Sequence, residues 1–302
     1  MSRVATIPLQ RTLSDAIQRA QQKLALSQTQ LATGKKAPDL ASLGTEAVRN
    51  LSSRSLVAQQ DAHVAVATRL GTTLALYDTN LSSIDTAVGD LRLGILEAIG
   101  TGRSAGLQQA ADAAFDQFRS ALNAREGGLP LFAESQTTGD PLVPATLADT
   151  AGLDPADAFA DDDVRASARV GDGIDITYGI TASDVGSGML AAFRTIAEAG
   201  EIGAEPSAAQ RLALTKAVEQ IDGALTEVRA RNADNGRRQA QVETLSARAV
   251  ARTDLLNGII SNNEDADLGQ IATDLAQQKT LLEASFSVFS QLAGLSLVGY
   301  LR

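Results

Sequence analysis

The sequence predicts a mainly α protein: a long antiparallel helical rod with coiled-coil terminal arms and a small β-hairpin-containing insert. Three observations lead to this fold. Apolar side chains repeat every seven residues near both ends of the chain, two long segments lack proline, and a segment rich in Gly, Pro and Asp separates them. Because proline is excluded from helix interiors, the proline-free segments 39–129 and 207–302 are where long helices can form.

The terminal heptads predict helices that need a partner. An apolar stripe of this period is typical of supercoiled helices and has to be covered by another helix. We therefore expect the two arms to pair with each other, with other copies of the chain, or both, which indicates assembly rather than catalysis. The positions predicted to form this interface are Leu13, Ile17, Leu24, Leu31, Leu268, Ile271, Leu275, Leu282, Phe289 and Leu292.

Longer apolar stripes predict the helices of the rod. Nine apolar side chains alternate steps of four and three and predict an amphipathic helix through about 70–100, and a second helix is expected over 105–124. A similar stripe predicts a helix from about 207 to 260, which at that length needs a partner such as the 70–100 helix. The two stripes are Leu70, Leu74, Tyr77, Leu81, Ile84, Val88, Leu91, Ile95 and Ala98, and Leu214, Val218, Ile221, Leu225 and Val228.

The middle of the chain predicts a hairpin and a short helix. Alternating apolar residues lie on either side of Asp172-Gly173, a pair typical of a type I′ turn. Val185, Met189 and Phe193 have the spacing of one helix face. We therefore expect paired terminal arms at 1–40 and 265–302, a rod domain at 41–125 and 205–264, and a variable insert at 126–204.

Composition excludes several classes of function. The chain has no cysteine and one histidine, His63, which removes thiolate sites and leaves no basis for His-centred metal sites or catalytic triads. A net charge of −10 argues against a general nucleic-acid binder. No apolar run is long enough to span a membrane, and the first residues do not have the pattern of a cleaved leader. We predict no catalytic residue, cofactor or metal.

Three polar motifs have ordinary structural interpretations. Gly34, followed by two lysines and a proline, is interpreted as a helix C-cap rather than a phosphate-binding loop. The acids at 264, 265 and 267 are interpreted as first-turn residues that complement the dipole of the last helix. Four arginines between 229 and 238 favour salt bridges across a protein interface.

Several runs resemble segments of bacterial flagellins. These are Gln30-Leu31-Ala32-Thr33-Gly34-Lys35-Lys36, Asn263-Glu264-Asp265-Ala266-Asp267 and the Arg- and Asn-bearing stretch 229–242. The element Gly128-Leu129-Pro130-Leu131-Phe132-Ala133 and the ending Gly299-Tyr300-Leu301 are most similar to the hook–filament junction member of that family. The resemblance covers roughly 10–125 and 205–302.

This resemblance implies a structural, non-enzymatic subunit of the bacterial flagellum, outside the cell, that self-assembles through its terminal helices and serves motility. Its implied partners are other copies, related axial proteins, the type III export apparatus, which exports the chain without a cleaved signal, and an export chaperone. Unpartnered termini would be disordered, and assembly would order them as an inner tube, with the insert facing outward. The junction position is favoured, and a main filament flagellin is the alternative. From another class, a secreted helical-bundle binding or scaffold protein would share the heptads.

Overall fold

Six α-helices make up most of the computed structural model, which describes the backbone of residues 3–298 and the side chains of residues 11–291. The first and last helices have 31 residues each, and the second and fifth have 57 each. The predicted mainly α fold with a small β insert is confirmed. The helices are α1 (Arg3–Thr33), α2 (Thr45–Thr101), α3 (Leu107–Leu122), α4 (Ala182–Glu198), α5 (Ala208–Glu264) and α6 (Leu268–Val298).

Two short antiparallel hairpins lie between α3 and α4. β1 (Arg125–Glu126) pairs with β2 (Leu129–Pro130), and β3 (Ala166–Gly171) pairs with β4 (Ile174–Tyr178). The second pair is the hairpin that the sequence predicts.

The turn of this second hairpin differs from the prediction. Gly173 has a left-handed φ of 68°, whereas Asp172 does not have a positive φ. A type I′ turn needs a positive φ at both positions, so that prediction is wrong. The register shifts between Arg169 and Gly171, which inserts an extra residue into β3 next to the turn and fits a turn with one left-handed residue.

The chain forms two compact units where the sequence suggested three parts. The terminal unit contains residues up to 59 together with those from 252 onward, and the central unit contains residues 60–251. The buried side chains of the 126–204 segment belong to the same apolar cluster as those of α2 and α5.

The core of the central unit follows the predicted stripes. All nine side chains of the α2 stripe and all five of the α5 stripe are buried. Phe115 and Phe118 of α3 pack against Phe193 of α4, with ring centroids 5.3 and 5.4 Å apart. Fully burying large apolar side chains stabilises a fold by about 1.5–3 kcal/mol each, so this cluster is a sufficient core by itself.

The insert packs against α2 at one tyrosine, Tyr77. The Tyr77 hydroxyl donates a hydrogen bond to the Leu131 carbonyl at 2.7 Å, and its ring meets Phe132 edge to face at 5.0 Å. Burial raises the Tyr77 pKa far above its usual value, so the hydroxyl stays protonated and can donate. The backbone amide of Ala182, at the start of α4, donates to the Phe132 carbonyl at 2.8 Å. The Leu131-Phe132 element therefore has a packing role.

Three of the four arginines between 229 and 238 have partners inside the central unit, and one of them, Arg237, pairs with Asp234 on the same helix. Arg229 pairs with Asp85 at 2.7 Å, and Arg231 pairs with Asp184 at 3.1 Å. For these three residues, the prediction of salt bridges across a protein interface is corrected. α5 runs beside acids of α2 and α4, which the local sequence could not show.

The described part of the terminal unit buries far fewer apolar side chains than the central unit does. Its described side chains include three buried apolar residues, Ile17, Leu256 and Ile271.

Among the described residues, no helix combines the length and apolar character that crossing a bilayer requires.

Candidate assembly interface

Helices α1 and α6 pack against each other along the predicted heptad positions. Ile17 and Ile271 are buried, at 8% and 9% exposure. Leu13 and Leu24 of α1 are half-buried. On α6 the half-buried predicted positions are Leu275, Leu282 and Phe289. The structure thus brings together seven of the ten predicted interface residues within one chain.

The other three predicted positions behave differently. Leu31 lies in the last turn of α1, Leu268 is the first residue of α6, and both are exposed. A side chain in a terminal turn lacks neighbours beyond the helix end, so a correct heptad position does not guarantee cover there. Leu292 lies outside the residues whose side chains the structure describes.

A polar pair lies in the middle of the α1–α6 seam. The Ser27 hydroxyl lies 3.4 Å from Gln278 Oε1, and both residues occupy heptad positions between apolar layers. Polar side chains at such positions weaken a coiled coil but favour one alignment of its helices. The seam is therefore only partly apolar.

Large apolar side chains remain exposed on both helices, most of them outside the predicted seam positions. Leu281 and Val288 are seven residues apart on α6, so they share one flank of that helix, each one residue before a seam position. Phe286 lies on the other flank of the same seam. We call the exposed apolar set the outer stripe; it consists of Leu26, Leu31, Leu268, Leu281, Phe286 and Val288. Singly scattered apolar residues are ordinary on surfaces, but several on one pair of helices make that pair a candidate interaction site.

Where α1 ends and α6 begins, the chain forms a backbone clasp. Gly34 ends α1 with φ 68°, as the predicted C-cap requires, and its amide donates to the Gln30 carbonyl at 2.8 Å. The amide of Lys36 donates to the Glu264 carbonyl at 2.7 Å, and the amide of Ala266 donates to the Gly34 carbonyl at 2.9 Å. The clasp, defined as 34–36 with 264–266, makes α1 and α6 antiparallel neighbours.

Glu264 is the centre of the clasp's side-chain contacts. Its carboxylate accepts two hydrogen bonds from the Arg54 guanidinium NH2 group, at 2.7 and 2.9 Å, and one from the Asn50 amide at 2.9 Å. These Arg54 hydrogen bonds hold the Glu264 pKa below its usual value, so the carboxylate is charged although the residue is only 8% exposed. Lys35 Nζ lies 3.5 Å from the same carboxylate and 2.5 Å from Asp265.

The acids before α6 have different roles from those predicted. Only Asp267 acts as expected of a helix start, because its carboxylate accepts from the amides of Gly269 and Gln270 at 2.9 and 3.1 Å. Glu264 is instead the last residue of α5, and Asp265 pairs with Lys35, whose hydrogen bond lowers the Asp265 pKa.

Comparison with known proteins shows a similarity to one family in the C-terminal part of the chain. Residues 218–301 match the model of the bacterial flagellin C-terminal helical region, a segment that includes most of α5, the acids of the clasp and α6. Over these residues the chain is similar to bacterial flagellins. The family resemblance predicted from the sequence motifs is thereby confirmed.

Two solved structures share the fold of this flagellin-like chain. A protein described as a flagellar hook-associated protein of Vibrio parahaemolyticus matches with a TM-score of 0.60 and 17% identity, over 74% of this chain and 100% of that one. FlgL of Bacillus cereus matches with a TM-score of 0.56 and 13% identity, over 70% of this chain and 98% of that one. No curated protein matches by sequence. These likenesses are to structural proteins, in agreement with the prediction that the chain is not an enzyme.

Proposed function

We propose that this flagellin-like chain is a structural subunit that self-assembles through α1 and α6 and joins related axial proteins at the hook–filament junction. The observation that supports self-assembly is the outer stripe. After α1 and α6 have packed together, six large apolar side chains remain exposed on the described parts of these two helices. A second copy that covers them would bury area that a lone molecule leaves in water.

The small core of the terminal unit supports the same proposal. With three buried apolar side chains among those described, this unit gains little from burial to offset the entropy of ordering its helices. Contacts with neighbouring copies would supply the missing burial. This modifies the expectation of unpartnered termini: α1 and α6 cover each other in part, and a neighbour would complete the cover.

The direct test is removal of α6. Deletion of 268–302 is expected to abolish polymerisation, followed by light scattering and electron microscopy, because it removes half of the seam and most of the outer stripe. The central unit should remain helical and unfold cooperatively by circular dichroism, since its core lies within 67–242. A truncated chain that still builds or joins filaments would contradict the proposal.

Position in the flagellum is a separate part of the proposal. Two observations support the junction over the filament: the sequence similarity of 128–133 to the junction member, and the structural likeness to a flagellar hook-associated protein. The Gly299-Tyr300-Leu301 ending lies outside the described residues. Electron microscopy of flagella labelled for this chain is expected to show a band beside the hook. Label along the whole filament would instead support a filament flagellin, and soluble protein bound to a foreign partner would support a scaffold.

Export completes the proposed function. A subunit of an extracellular axial structure has to leave the cell, and we propose the flagellar type III route without cleavage, assisted by a chaperone. Secretion of the intact chain that is lost when the type III export apparatus is inactivated would support this route. Secretion that persists would contradict it.

A further inference from the structure

The apolar seam between α1 and α6 does not by itself select one alignment. Its larger side chains repeat every seven residues on both helices, at Ile17 and Leu24 in α1 and at Leu275, Leu282 and Phe289 in α6. Sliding one helix by seven residues along the other therefore again places apolar layers opposite apolar layers. Heptad repeats commonly need an additional device to fix their register.

The connection between α1 and α2 leaves room for such a slide. Residues 34–44 link the two helices. An extended chain covers about 3.3 Å per residue, so this linker can reach roughly 35 Å, whereas a seven-residue slide along a helix moves it by about 10 Å. Covalent connectivity alone therefore permits neighbouring alignments.

The clasp is the feature that distinguishes the alignments. A slide of α1 along α6 has to break the backbone bonds from Lys36 to Glu264 and from Ala266 to Gly34. It also separates Lys35 from Asp265. These contacts join the end of α1 to the start of α6, so they hold in one register only.

Glu264 gives the clasp a fixed position. Among the side chains described at 11–291, it is the one charged residue that is buried. Arg54 and Asn50, both on α2, hold its carboxylate, so the carbonyl that receives the Lys36 amide is held too. A buried carboxylate that loses its partners is strongly unfavourable, which disfavours rearrangement at this point.

We propose that Glu264 is a register-determining residue: through the clasp, it selects one of the heptad alignments of α1 and α6. The selected alignment decides how Leu26 and Leu31 of α1 are placed beside Leu281 and Val288 of α6, and so decides the surface offered to a second copy. This inference rests on the proposed self-assembly. Ser27 and Gln278 support the same alignment from within the seam, because a slide replaces Gln278 by Ile271 or Ser285 opposite Ser27.

Cysteine cross-linking can read the register directly, since the chain contains no cysteine. Ser27→Cys is combined separately with Ile271→Cys, Gln278→Cys or Ser285→Cys in the full chain. A short thiol-to-thiol cross-linker is applied to dilute monomer. With Glu264 present, we expect strong cross-linking of the 27/278 pair and little of the other two, which report a slide in either direction.

Two variants then remove the clasp's support. Glu264→Ala, and separately Lys35→Met with Asp265→Asn, are expected to lower the 27/278 yield and raise the 27/271 or 27/285 yield. Arg49→Met is the matched control, because Arg49 is also on α2 but pairs with Glu46 on the surface at 3.4 Å. It should leave the cross-linking pattern unchanged.

The outcomes separate this inference from the proposed function. If cross-linking stays confined to 27/278 without Glu264, the clasp does not select the register. If all three cross-links disappear while the central unit stays folded, Glu264 is needed to form the helix pair rather than to choose among alignments, and the inference is also wrong. Failure of the unmodified chain to assemble would refute the proposed function and would still leave the register readable by cross-linking.

Discussion

Truncation of Leu281 tests the surface proposed for assembly, because Leu281 lies outside the seam between α1 and α6. Leu281 is 57% exposed on the flank of α6, so Leu281→Ala removes little that stabilises the monomer. Fully burying a leucine side chain is worth about 1.5–3 kcal/mol, so covering its exposed part in an assembly is worth about 1–2 kcal/mol. A change of that size alters an equilibrium constant by about 5- to 30-fold. We therefore expect the critical concentration for assembly to rise by about that factor.

The assay is pelleting of assembled material over a concentration series, with circular dichroism of the monomer alongside. Leu129→Ala is the matched control: Leu129 is the same residue type, is 54% exposed, and belongs to β2 of the insert. It should leave the critical concentration unchanged. The reasoning is refuted if Leu281→Ala assembles at the normal concentration, or if it lowers monomer stability as much as it weakens assembly.

Three further changes test other parts of the structure. Leu275→Asp should block incorporation into filaments, because it places a charge in the half-buried seam at a cost of several kcal/mol. Normal incorporation would contradict the claim that assembly needs the α1–α6 seam. Phe132→Ala should lower the free energy of unfolding of the central unit by about 3–5 kcal/mol in a denaturant titration, since Phe132 is fully buried against Tyr77. A loss below about 1 kcal/mol would contradict this packing role of Phe132. Burial raises the pKa of Glu134 to about 7, so the folded state binds the carboxyl proton more tightly than the unfolded chain does. The stability of the central unit should therefore fall as pH rises from about 4.5 to about 7. Glu134→Gln should flatten that part of the pH–stability profile, and an unchanged profile would contradict this assignment.

Glu134 shows why a titrating group can escape sequence reasoning. Its backbone is left-handed, with φ 53°, and its Oε1 atom is buried without a hydrogen-bond partner. Arg165 donates instead to Asp184 at 2.7 Å and to the Gly179 carbonyl at 3.0 Å. Arg165 and both of its partners come well after Glu134 in the sequence, so nothing in the residues around 134 indicates these contacts.

The helices were predictable because their stripes are long. The predicted stripe from Leu70 to Ala98 is buried throughout, since a helix that is covered on one side needs apolar residues at the same period along its length. Helix ends were less accurate. α2 begins at Thr45, well before the start of the stripe, because polar and small residues continue a helix that the apolar pattern does not mark.

Polar residues inside helix pairs were recognised only in part. The α5 stripe visibly turns polar at Asn235, and the structure shows the consequence: Asn235 is fully buried and donates to the Leu74 carbonyl at 2.7 Å. The sequence shows that such a position is polar, but the carbonyl that receives its hydrogen bond is known only once α2 is in place.

The sequence marks residues at both ends of the clasp but does not predict the clasp itself. The Gly34 cap and the acids at 264–267 stand out locally, as capping residues do. Arg54 and Asn50 have no such signal, because both lie within a helix at positions where arginine and asparagine are ordinary surface residues. Their role follows from a contact with Glu264 across more than two hundred residues of sequence.

Amide hydrogen exchange, compared between dilute and assembled protein, tests most directly whether neighbouring copies cover the terminal helix pair. We expect residues 11–33 and 268–291 to exchange faster in the dilute chain and to become strongly protected in the assembly, while α3 of the central unit keeps the same protection in both. Full protection of α1 and α6 already in the dilute monomer, or no gain on assembly, would contradict the account.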